Sequence, residues 1–87
     1  MTVTLLSLST GHYSLEFETS DVVSVKAAIV ARFGQPVIEQ QVISAQYHFG
    51  GSDFTFQNDW DDPCLISAST AGDEILKELY QALASDK

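Results

Sequence analysis

Asp59, Asp61 and Asp62 crowd one short stretch, with Asp53 a little upstream, and such a group could offer a hard cation several oxygen ligands. The spacing lacks the Asp-x-Asp-x-Asp-Gly run and distal Glu of a calcium loop, so a solvated acidic turn is expected and no metal is assigned. Cys64, His12 and His48 form a second combination, a thiol and two imidazoles able in principle to act as nucleophile and base, with Asp59 to Asp62 available to orient a His. Nothing around Cys64 resembles a nucleophile elbow. Pro63-Cys64-Leu65-Ile66 reads instead as a strand entering the core, where a small thiol is common. The sequence therefore predicts a non-enzymatic chain with no catalytic residue and no cofactor. A turn position for His12 and a polar strand face for His48 predict ordinary solvated histidines. Gly50-Gly51 joins two strands with no helix N-terminus after it, which is hairpin chemistry and not a phosphate cradle.

Trp60 is the only Trp and lies between carboxylates in Asn58-Asp59-Trp60-Asp61-Asp62. Exposed, it would be an aromatic anchor ringed by negative charge, as expected at the centre of an interface for a basic partner. Folded back, it would cover the end of the core below Phe54 and Phe56, which the cost of a large apolar ring in water favours. Asp53, Asp59, Trp60, Asp61 and Asp62 are the candidate partner-binding residues.

Charge supports that choice. The chain has 87 residues and a formal net charge of −8, with 12 Asp and Glu against 4 Lys and Arg, and no Lys or Arg between Phe33 and Leu76. Because four bases are so few, their scarcity across the whole chain carries more weight than the gap. Phosphate backbones and anionic lipid would be repelled, so nucleic acid and membrane are disfavoured and a basic protein is favoured. An apolar fraction of 45% argues against disorder. One domain over 1–87 is expected, monomeric or a small homodimer. A lone Cys64, the absence of a cationic start in Met1-Thr2-Val3-Thr4 and the lack of any apolar run near the roughly 18 residues of a membrane span point to the cytoplasm.

The elements that must position these residues follow from periodicity. Val3 to Ser9 is apolar and β-branched, Thr10-Gly11 is a turn, and Tyr13, Leu15 and Phe17 alternate with Ser14, Glu16 and Glu18, giving a hairpin with one wet side. Thr19-Ser20-Asp21 offers a hydroxyl cap and a first-turn carboxylate for a helix to Phe33, with Val22, Val25, Ala28 and Ile29 as its stripe and Gly34 and Pro36 as its stop. Val37 to Phe49 is read as one strand with a bulge at Gln40 and Gln41, followed by the Gly-Gly hairpin into Phe54-Thr55-Phe56. Cys64 to Ala68 is a short strand. Ser69 or Thr70 opens a last helix in which Asp73 and Glu74 pair with Lys77, and Ile75, Leu76, Leu79, Tyr80 and Leu83 share a side.

The resulting order is ββαβββα, an α+β two-layer sandwich of about five mostly antiparallel strands with both helices on one sheet face. Ser14, Glu16, Glu18, Ser44, Gln46, His48, Thr55 and Gln57 are then expected on the opposite, exposed face. In size and charge the chain is similar to immunity proteins that neutralise bacterial toxins and to small inhibitors of nucleic-acid enzymes. The functional expectation is a small acidic module recognising a basic protein, with self-association through the sheet as the alternative.

Overall fold

A computed structural model describes residues 3–42, 44–57 and 63–84. Its elements are β1 (Val3–Ser7), β2 (Tyr13–Phe17), α1 (Val22–Phe33), β3 (Val37–Gln40), β4 (Ala45–Phe49), β5 (Ser52–Gln57), β6 (Cys64–Ser67) and α2 (Thr70–Ala84). The six strands form one antiparallel sheet in the order β1-β2-β6-β5-β4-β3. No helix among the described residues is long and apolar enough to cross a membrane.

The α+β class, the antiparallel sheet and the two helices agree with the sequence reading, whereas the strand count does not. Val37 to Phe49 is two strands, because the Gln41 N–H donates to the Ser44 carbonyl at 2.8 Å and folds the chain back on itself. The Ser44 hydroxyl reinforces the closure by donating to Gln41 Oε1 at 3.3 Å. No Gly, Pro, Asn or Asp marks this turn, so the usual turn chemistry is missing from the sequence. The order is therefore ββαββββα.

Antiparallel pairing all the way from β2 to β3 leaves these two strands running the same way, so α1 must carry the chain across the sheet from an inner strand to the far edge. Alternation sorts the strand residues onto two sides. Leu15, Phe17, Ala45, Tyr47, Phe49, Phe54 and Leu65 join Val25, Ile29, Leu76, Leu79 and Leu83 of the helices in one core. Phe49 stacks on Phe54 at 4.4 Å and Tyr47 on Phe56 at 5.3 Å, while Phe33 at the end of α1 tilts against Phe49 at 5.6 Å. Both helices thus cover one side of the sheet, and the other side lies open.

Local chemistry fixes the helix starts. A 3₁₀ turn over Thr19–Asp21 precedes α1; Asp21 is buried, its N–H donates to the Glu18 carbonyl at 2.8 Å, and its Oδ2 accepts the Glu18 N–H at 3.3 Å. The expected Thr19 or Ser20 hydroxyl cap is not formed: Asp21 is the N-cap residue of α1 without a side-chain cap bond, and its carboxylate instead closes a capping box back onto Glu18. In α2 the expected hydroxyl is present, as Ser69 Oγ accepts the Gly72 N–H at 3.0 Å. The β4–β5 turn is also as read, with φ of 61° at Gly50 and 76° at Gly51, the left-handed values a two-residue hairpin needs.

Candidate functional site

The open side of the sheet is built by strand register. One row runs Leu6, Ser14, Ile66, Thr55, Gln46 and Glu39 across all six strands, and beside it lies the shorter row Thr4, Glu16, Cys64 and Gln57. Val37, His48 and Asp53 complete the β3–β4–β5 end. Ser14, Glu16, Gln46, His48, Thr55 and Gln57 therefore share one side as the alternation predicts, although Ser14 is buried between its neighbours. Gln46 donates to Thr55 Oγ1 at 3.0 Å, tying two rungs of this surface together. Cys64 is a correction: it is half-buried on the open side, back to back with Leu65, which takes the core position.

Charge divides between the two layers. Lys26, Arg32 and Lys77, the Lys and Arg residues that the structure describes, all lie on helices. Two of them are occupied there, with Arg32 Nη1 3.3 Å from Glu78 Oε2 and Lys77 Nζ 3.4 Å from Glu74 Oε2 and 4.8 Å above the Tyr13 ring. The open side carries Glu16, Glu39 and Asp53 and, among the described residues, no Lys or Arg. Among the described residues its one source of positive charge is a histidine.

His48 is held by carboxylates at both ring nitrogens. Nδ1 is 2.5 Å from Asp53 Oδ1 and Nε2 is 2.7 Å from Glu39 Oε1, so β3, β4 and β5 are linked through one imidazole. A neutral ring can donate through only one nitrogen. The geometry is that of an imidazolium, and the hydrogen bonds to Asp53 and then Glu39 raise the His48 pKa above the ordinary 6.5. This histidine is not an ordinary solvated one. Its pairing with Asp53 was readable in principle, because a two-residue turn at Gly50-Gly51 places His48 and Asp53 directly opposite.

A second carboxylate–imidazole contact joins the β1–β2 turn to α2. Asp73 is buried; its Oδ2 accepts from His12 Nδ1 at 3.0 Å and its Oδ1 accepts the Tyr13 N–H at 3.0 Å. The Ser67 hydroxyl has one proton to share between Asp73 and the Ser69 carbonyl, 2.8 Å away. Burial pushes the Asp73 carboxyl up, but the hydrogen bonds from His12, Ser67 and the Tyr13 amide, with the His12 charge, outweigh it and hold the group below the ordinary 3.8. A hydrolytic relay places the imidazole between hydroxyl and carboxylate. Here the carboxylate is central, and the cluster acts as a tie between hairpin and helix. Asp73 thus turns inward and leaves Glu74 alone to pair with Lys77.

Of the sequence-predicted binding residues, Asp53 sits on the open side beside His48. Asp59, Trp60, Asp61 and Asp62 fall outside the described residues, in the segment joining Gln57 to Pro63. Asp53 and Gln57 occupy opposite ends of β5, about 13 Å apart at strand rise, so Asp53 belongs to the hairpin end of the face and the 58–62 segment leaves from the other end. Glu16 and His48 were expected on this face but not among the binding residues, and Glu39 was not placed on it at all. No protein-family model, curated protein or solved structure matches this chain.

Proposed function

We propose that this protein is a small acidic cytoplasmic binding module of the inhibitor or immunity type, which recognises a basic protein through the open side of its sheet. The observation that carries the reading is the segregation of charge: Glu16, Glu39 and Asp53 on the uncovered side, and the described Lys and Arg side chains on the helix layer. A partner approaching the sheet meets carboxylates and, among the described residues, no competing ammonium or guanidinium group, which favours basic surfaces and rejects acidic ones. Asp59, Asp61 and Asp62 follow Gln57 closely in sequence and add three of the chain's carboxylates. The test is the association rate of a basic partner isolated from the host, measured from about 50 to 500 mM salt. The rate should fall steeply with salt and fall again when Asp59, Asp61 and Asp62 become Asn. A rate indifferent to both changes removes the proposal.

Self-association has one observation in its favour. Leu6 is 37% exposed and flanks Ser14 opposite the half-buried Ile66, an apolar strip at the β1–β2–β6 end of the same side. Light scattering decides: a concentration-independent monomer excludes this reading, and a stable dimer with no hetero-partner supports it.

A further inference from the structure

β3 forms a free edge of the sheet among the described residues. This strand ends the sheet order, all four of its residues are exposed, and its apolar members Val37 and Ile38 are 62% and 38% exposed. Edge strands are commonly blunted by Lys, Pro or a bulge, and within β3 the only charged residue is Glu39. The closing bond from the Gln41 N–H to the Ser44 carbonyl sets the antiparallel alternation, which directs the N–H and C=O of Ile38 and Gln40 away from β4 toward the edge. Side chains alternate too, with Val37 and Glu39 on the open side and Ile38 and Gln40 on the helix side.

We propose that this edge takes up an extended segment of the partner by strand addition, the segment alternating basic residues toward Glu39 with apolar residues toward Ile38. The proposal rests on the basic-partner reading above and states how such a partner is held. Main-chain bonds to Ile38 and Gln40 supply attachment, and the alternating side chains supply selection. The sign of the selection comes from Glu39, 67% exposed and fixed at the surface by His48 Nε2 at 2.7 Å. A second copy of this chain is disfavoured at the same edge, because antiparallel pairing of β3 with itself brings one Glu39 toward the other, and like charges across strands repel. β1, the other edge, has no charged residue among Val3 to Ser7 and cannot select by sign.

The experiment uses the full ¹⁵N-labelled chain and two synthetic peptides, one alternating Lys with Val and the other alternating Glu with Val. The Lys peptide should shift the amide signals of Ile38 and Gln40 and slow their hydrogen exchange by about tenfold at saturation. Glu39→Lys should weaken its binding by about three- to tenfold. Ile38→Pro should abolish it while leaving the β4 amides in place, since Pro is tolerated on an edge strand where the N–H faces outward. Lys-peptide binding that moves Gln46, Thr55 and Gln57 or the β1 amides, and spares Ile38 and Gln40, overturns strand addition at β3 and leaves the basic-partner reading standing. Equal binding of the two peptides, or binding of neither at millimolar concentration, overturns both.

Discussion

Replacing Asp73 with Ala should destabilise this protein by about 3 to 5 kcal/mol, the cost of breaking a buried charged contact, although Asp73 lies in the first turn of a helix where an acidic residue is usually a surface feature. The magnitude follows from what the carboxylate holds. Its side chain is 10% exposed, and losing it leaves the Tyr13 amide without its 3.0 Å acceptor, a penalty of about 1 to 3 kcal/mol. The His12 contact contributes less, about 0.5 to 1 kcal/mol, because the imidazole is 33% exposed and solvent screens it. The Ser67 hydroxyl adds about 1 kcal/mol more. Asp73→Asn keeps an acceptor for Tyr13 and should cost about 1 to 2 kcal/mol, and His12→Ala about 0.5 to 1 kcal/mol. Urea unfolding followed by far-ultraviolet circular dichroism gives the ranking; at about 1 kcal/mol per molar urea, Asp73→Ala should lower the midpoint by about 3 to 5 M or leave the chain largely unfolded. The carboxyl is held below the ordinary 3.8, so its contribution is complete above that pH and disappears as pH falls through the folded value. The gap between wild type and Asp73→Asn should close in acid. If Asp73→Ala stayed within about 0.5 kcal/mol of wild type, or if His12→Ala cost more than Asp73→Ala, the tie between the β1–β2 turn and α2 would not be a determinant of this fold.

Other outcomes follow from single side chains. A proton NMR titration should place the His48 pKa above 6.5, and Asp53→Asn should bring it down; the raised value means that His48 contributes stability fully below pH 6.5 and loses it as pH rises through the folded value, so an unshifted or lowered pKa contradicts the bridge. Gly72→Ala should destabilise rather than give the about 1 kcal/mol gain usual inside a helix, because the new Cβ would lie 2.6 Å from Ser67 Oγ and 3.2 Å from the Ser69 Oγ cap, and a raised melting temperature would refute this. Ser52 buries a hydroxyl with no hydrogen-bond partner among the described residues, so Ser52→Ala should be neutral or stabilising by up to about 1 kcal/mol in urea unfolding.

Where periodicity and turn chemistry agree, the architecture is readable from residues alone. Tyr13, Leu15 and Phe17 are inward as alternation requires, Gly50-Gly51 makes its hairpin, and Ser69 caps the helix whose Leu76, Leu79 and Leu83 are buried. The Gln41 to Ser44 turn was not readable, since it is made by a backbone bond and a Ser–Gln contact without a residue of strong turn preference. Nor was the insertion of β6 between β5 and β2, because pairing partners distant in sequence leave no local trace. Asp73 looked like a solvated first-turn acid, and only the folded hairpin brings His12 and the Tyr13 amide against it. The candidate site divided in the same way. Alternation sorted six of the eight expected open-side residues correctly, Glu18 lying past the end of β2 and Ser44 in the β3–β4 turn, but reading carboxylates by their proximity to turns linked Asp53 to the 58–62 segment, left Glu16 out of the binding set and missed Glu39, which register places on the same side as Asp53.

The claim that the open side of the sheet, and not net charge alone, attracts a basic partner is tested most directly by two variants that each remove two units of negative charge in different places. Glu16→Gln with Asp53→Asn removes two of the three described open-side carboxylates, whereas Ser24→Lys with Ala27→Lys adds the same charge change on exposed positions of α1. With folding verified by circular dichroism, the association rate of the basic partner at low salt should fall about two- to fivefold more for the open-side variant than for the helix variant. Equal rates for the two variants would mean that the location of the charge is irrelevant, and would contradict the account.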